Sequence, residues 1–181
     1  MKKYNYKYAQ ICAVIISAAL TKFESNKRDM IDKRKIIISV MAVLLLIQIF
    51  GINKEAPAVE AEKDFMHVMN PPAEVAILIK TACYDCHSYK TKYPWYTNVA
   101  PLSWWIGDHI EEGREHLNFS IWAEYDEKKA LHKLEEFYEE VEEGEMPLAS
   151  YTLMHSEASL SPEEVELMVG WVKSIPGVEE E

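Results

Sequence analysis

Positive charge is scarce where most of the chain lies. Residues 53–181 hold 10 Lys+Arg against 27 Asp+Glu, and the whole chain of 181 residues stands at −11. A surface this acidic repels phosphates instead of releasing their counterions, which excludes nucleic acid as a partner. Its natural partners are basic surfaces, drawn in by long-range attraction that salt weakens. Alternating apolar and polar stretches are also missing, so no strand is expected, and no internal repeat is present. Cysteine is rare, with only Cys12, Cys83 and Cys86. No cysteine follows Cys86, so a zinc ribbon lacks its second pair. No βαβ pattern precedes Cys83, as a thioredoxin-like dithiol would require. Neither a serine–histidine pair nor paired carboxylates form a catalytic constellation.

What is present is Cys83-Tyr84-Asp85-Cys86-His87. Two thiols three positions apart, with a histidine directly after the second, match the pattern for covalent attachment of c-type haem. Thiols at i and i+3 fall on one side of a helical turn, where both reach the two vinyl groups of one porphyrin. The next residue, His87, is then placed under the iron as its proximal ligand. A plain structural disulfide would give that histidine no special place.

The amino-terminal third is directed to a membrane. Lys33-Arg34-Lys35 precedes Ile36 to Ile52, 17 residues without a charge. As a helix this run is about 25 Å long, near the lower limit for crossing a hydrocarbon core. Basic residues before it and an acidic domain after it put residues 1–35 inside and the domain outside. Ala56-Pro57-Ala58 resembles a cleavage site, so the alternative is a signal peptide cut near Ala58. Either way the domain is exported: a single-pass protein of a bacterial inner membrane with its haem domain in the periplasm, or a periplasmic protein after cleavage. Met30 begins a conventional basic start, MIDKRK, which makes it a candidate true start of translation. Cys12 receives no function.

Residues 53–69 mix charge, alanine and proline and read as a linker. The domain proper is expected over 70–178, all-α, with about four helices around one covalent haem. Asn70-Pro71-Pro72 opens the first helix, with Asn70 as cap; Val75, Leu78, Ile79 and Ala82 form its apolar face and lead into Cys83. The second begins near Leu102 and carries Trp105, Ile106, His109, Ile110 and Leu117. The third opens at Tyr125-Asp126-Glu127, buries Leu131, Leu134, Tyr138 and Val141, and stops at Gly144. The fourth has Ser161 as cap, Pro162 at its first position and Glu164 completing a capping box. Between the first two, Pro94-Trp95-Tyr96 and Ala100-Pro101 mark a loop folded over something apolar, for which a haem edge is a suitable surface.

Met146 is the first candidate for the other side of the iron, because it comes after a helix end and precedes Pro147 in a constrained turn. A thioether there raises the reduction potential relative to two histidines. His155 is the alternative, then Met154 and His109.

CYDCHSYKTKYPWYTNVAPLSWWIGDHIEEGREHLNFSIW, with GEMPLASYTLMHSEASLSPEE after it, resembles the bacterial haem-binding domain family of small c-type cytochrome-like proteins over about residues 70–175. The resemblance implies one haem c and its iron, held by Cys83, Cys86 and His87. It also makes Trp104-Trp105, His109, Gly113-Arg114 and Leu117-Asn118-Phe119-Ser120 part of a family pattern, and Trp95, Trp104 and Trp105 are expected against the cofactor. Two functions are compatible with it. One is electron transfer to a redox partner with a basic surface, from a domain tethered to the membrane through residues 36–52. The other is an enzyme or sensor, a peroxidase or gas binder, with an open distal site where His109 or His155 is the polar group and Arg114 its charge partner.

Overall fold

The structure, a computed structural model, describes residues 33–178 and forms two compact units that divide after Ile47. The expectations for Cys12, Met30 and the rest of residues 1–32 lie outside the described residues. Of the first unit the structure describes one helix, α1 (Lys33–Ile47). Its 15 residues give a length of about 22 Å, and most of its apolar side chains, Ile37 and Leu45 among them, are exposed, whereas Ile47 at its end is buried. Among the described residues no helix is long and apolar enough to cross a membrane. The uncharged run expected as one span over 36–52 is therefore divided. It is helical to Ile47, and from Gln48 onward it belongs to the second unit.

The second unit is built from α2 (Phe65–Val68), α3 (Ala73–Ala82), α4 (Tyr84–His87), α5 (Leu102–His116), α6 (Glu127–Glu142), α7 (Ala149–Thr152) and α8 (Pro162–Lys173), joined by short 3-10 turns. No strand occurs among the described residues, in line with the all-α expectation. The four long or medium helices sit where periodicity put them, and the extra ones are single turns that carry no periodic signal. Asp126 caps α6 by accepting from the Lys129 amide, and Gly144, at φ +77°, lies just past its end. Ser161 and Glu164 close the capping box of α8.

Two boundaries differ from expectation. Asn70 is not a cap: it takes a left-handed conformation at φ +44° after α2, and α3 starts behind both prolines with no side-chain cap. Asparagine tolerates that region because its short polar side chain bonds locally. The 53–69 stretch is not a loose linker. Asp64 caps α2 and is buried, and Phe65 is fully buried at the centre of the core.

That core is aromatic. Phe65 meets Phe119 and Trp122 edge to face, with ring centroids 4.9 and 4.7 Å apart. Phe119 stacks on Tyr84 at 5.2 Å and abuts Phe137 and His87. Val75 and Ile79 of α3, Leu134, Tyr138 and Val141 of α6, and Met168, Val169 and Val172 of α8 close around these rings. Edge-to-face pairs add about 0.5–1.5 kcal/mol each beyond the area they bury. The motif Cys83–His87 thus stands on the hub of the core.

Candidate haem site

Cys83 is the hinge between α3 and α4. Its carbonyl accepts from the amides of both Cys86 (3.2 Å) and His87 (2.9 Å), so the five-residue motif is one tight helical turn. Both cysteines are free thiols. Burial pushes the Cys83 thiol up to about 12, with Cys86 adding, and burial pushes Cys86 up to about 11, with Asp85 adding and Arg114 opposing. Both groups therefore stand as neutral thiols in these surroundings.

The two middle residues of the motif are structural anchors. The Tyr84 hydroxyl donates to Asp64 (2.8 Å), whose other carboxylate oxygen pairs with Lys90 (2.7 Å). Asp85 accepts from the Lys92 amide and from the Tyr151 hydroxyl, both at 2.9 Å. Arg114 braces the chain just past His87, donating to the Ser88 carbonyl (2.8 Å) and to the Thr91 hydroxyl (2.7 Å).

His87 is oriented for a metal. Its Nδ1 lies 2.8 Å from the Gly113 carbonyl and 3.1 Å from the Leu117 carbonyl. Two carbonyl partners require the proton on Nδ1, leaving Nε2 unprotonated, the state in which an imidazole can ligate a metal. Desolvation lowers the pKa of the ring, favouring the neutral form that binds iron, while the two carbonyls oppose the shift. Gly113 eases this approach: a Cβ there would lie 3.2 Å from the Cys86 carbonyl oxygen, tighter than ordinary contact.

Two cavities adjoin the motif. The larger, about 540 Å³, is lined by Cys83, Cys86, His87, Phe137, Met146 and Pro147, and also by Lys133 and four glutamates, Glu112, Glu136, Glu139 and Glu140. The smaller, about 280 Å³, is lined by Tyr93, Tyr96, Trp105, Ile110, Met154 and His155. They share Cys86, His109, Leu148 and Tyr151. The larger has the size of a cofactor site, and its donor set of two thiols, an aligned imidazole and a thioether fits haem.

The candidates separate accordingly. Met146 faces the same cavity as His87. His155 does not, and both its nitrogens are engaged: Nδ1 with the Tyr151 carbonyl (3.2 Å), Nε2 with the Tyr96 hydroxyl (3.1 Å). Trp105 lines the smaller cavity and packs on His109 at 4.3 Å. Trp95 and Trp104 line neither cavity; Trp95 is 75% exposed, and the Trp104 indole donates to the Phe50 carbonyl. Asp64, Asp85 and Tyr151 support the site without a sequence signal beyond their polarity.

A family model described as a haem-binding domain matches residues 42–174. The chain belongs to the haem-binding domain family. The match begins well before residue 70, so the haem-binding domain includes the stretch that packs Asp64 and Phe65 beneath the motif. Comparison with curated proteins gave no match, and comparison with solved structures gave none. Among the described residues no cluster of three or more His, Cys, Asp or Glu stands in position to hold a bare metal ion.

Proposed function

We propose that this haem-binding domain is a mono-haem c-type cytochrome, tethered to the outer face of a bacterial inner membrane, that transfers electrons. The observation that carries the reading is that Cys83, Cys86, His87 and Met146 line one cavity. Cys83 and Cys86 would hold the porphyrin through thioethers, and His87 Nε2 and the Met146 thioether would be the ligands of its iron. Haem held there supplies a one-electron couple. The protein's part is to fix the imidazole through the Gly113 and Leu117 carbonyls and to hold the Met146 turn, whose amide donates to the Glu140 carbonyl at 2.9 Å. The glutamates lining the cavity suit a redox partner with a basic surface. The tether rests on the basic Lys33-Arg34-Lys35 at the start of an exposed apolar helix.

A second reading, a gas binder or peroxidase, draws on His109. It borders both cavities, and with Nδ1 donating to the Trp105 carbonyl (2.9 Å) its Nε2 is available. Absorption spectra of holoprotein matured with haem-attachment machinery separate the two. Methionine ligation gives the ferric protein a weak far-red charge-transfer band, absent from Met146→Ala, and leaves the ferrous protein unchanged by carbon monoxide. A high-spin wild-type spectrum that shifts with carbon monoxide or cyanide would reject the electron-carrier reading and favour His109 above an open position.

A further inference from the structure

We propose that one face of the haem domain rests on the lipid headgroup layer, so that the domain does not swing on a tether. The inference depends on the membrane reading above and adds a second contact to it. The chain passes into the second unit at Gln48, and the next residues are fastened at once. The Gln48 side chain accepts from the Ala100 amide (2.9 Å) and donates to the Ala100 carbonyl (3.0 Å). Trp104 donates to the Phe50 carbonyl. Ile52 packs against Gly107 so closely that a Cβ there would lie 2.8 Å from its Cγ2. Lys54 donates to Thr97 (2.9 Å) and Asn98 (2.7 Å). No slack therefore separates the end of the apolar run from this face.

The face has the composition of a membrane interface. Ile49 and Trp95 are each 75% exposed, Leu102 is 44% exposed, Val99 42% and Phe50 37%. None of these except Leu102 lines either of the two cavities beside the motif. Tryptophan among aliphatic side chains is what the headgroup layer favours. The charge agrees: no Asp or Glu occurs from residue 86 to 107 in an otherwise acidic domain, while Lys92 is exposed and Lys54 lies at the edge. Anionic lipid attracts such a patch and repels the rest of the domain.

The test uses full-length holoprotein in lipid nanodiscs containing phosphatidylglycerol, with the photo-crosslinker p-benzoylphenylalanine replacing Leu44, Trp95 or the exposed Glu163 in separate preparations. Adducts are identified by mass spectrometry. Phospholipid adducts at position 95, at least tenfold above those at 163 and comparable with those at 44, are expected. Lipid adducts at 44 with position 95 no better than 163 would overturn the docked face while leaving the anchor intact. Protein adducts at 95 in place of lipid would overturn it in favour of a second chain. The absence of lipid adducts at 44 would reject the anchor itself, and the docked face with it.

Discussion

Gly113 is the point at which two helices can come no closer. Its carbonyl accepts from His87 and its Cα faces the Cys86 backbone, so it both orients the imidazole and admits the motif. Replacing glycine by alanine inside a helix ordinarily stabilises by up to about 1 kcal/mol. At Gly170 of α8, where a Cβ would meet nothing within 4 Å, that gain should be realised. At Gly113 the added carbon lies 3.2 Å from the Cys86 carbonyl oxygen, which cannot move without shifting the Cys83–His87 turn. Overpacking of this kind costs about 1–3 kcal/mol, which exceeds the helix gain. Denaturant midpoints should therefore move in opposite directions, upward in Gly170→Ala and downward in Gly113→Ala, and only Gly113→Ala should lower the yield of haem-loaded protein. Equal shifts in the two variants would show that the close approach has no energetic consequence.

The short helix α2 shows why a ten-residue helix can present a haem motif rigidly. Asp64 accepts from the Met66 amide as its cap, from the Tyr84 hydroxyl inside the motif, and from Lys90 beyond it. Burial raises the Tyr84 pKa, with Asp64 reinforcing the shift, so this hydroxyl stays a donor. Asp64→Ala removes the acceptor for all three and should cost about 2–4 kcal/mol, given that Lys90 is half-exposed and recovers solvation. Asp64→Asn keeps the cap and an acceptor for Tyr84, and should cost about 1 kcal/mol. Equilibrium unfolding in urea decides it, and an asparagine variant as unstable as the alanine one would contradict this division. The same element marks the limit of what was legible in the sequence. The caps Asp126 and Ser161 and the stop Gly144 could be read because their chemistry is local. The haem-binding family could be read because the spacing of Cys83, Cys86 and His87 is local as well. Asp64 and Phe65 could not: the surrounding charge, alanine and proline resemble a linker, and only contacts with Tyr84 and Phe119, distant in sequence, give them a place in the core. Tyr84 and Asp85 fill positions that the motif leaves unspecified. The division of the apolar run after Ile47 was hidden for a related reason, since Gln48 reads as one tolerated polar interruption until Ala100 meets its side chain through two hydrogen bonds.

Charge is distributed unevenly over the domain. The stretch from 86 to 107 carries no acid, whereas the larger cavity is bordered by Glu112, Glu136, Glu139 and Glu140 with Lys133. If lipid takes the first surface and a basic partner the second, the two cannot compete, and a membrane-bound carrier keeps its cofactor edge toward the aqueous phase. Attraction between exposed charges is screened over about 10 Å at 0.1 M salt and about 30 Å at 0.01 M, so steering acts on the rate of encounter and fades as salt rises. The second-order rate of electron transfer from the ferrous protein to a basic soluble redox protein, measured by stopped-flow, should fall at least tenfold between 0.01 and 0.15 M ionic strength. Glu139 and Glu140 are exposed, so Glu139→Gln with Glu140→Gln should flatten that slope and lower the low-salt rate severalfold, with little effect at high salt. Neutralising Lys92, which lines the smaller cavity and not the larger, should leave the slope unchanged or steepen it slightly, because it removes a charge that repels a basic partner. A wild-type rate indifferent to salt would place the docking surface elsewhere, and a slope that responds to Lys92→Gln more than to the glutamate pair would move it to the face assigned to lipid.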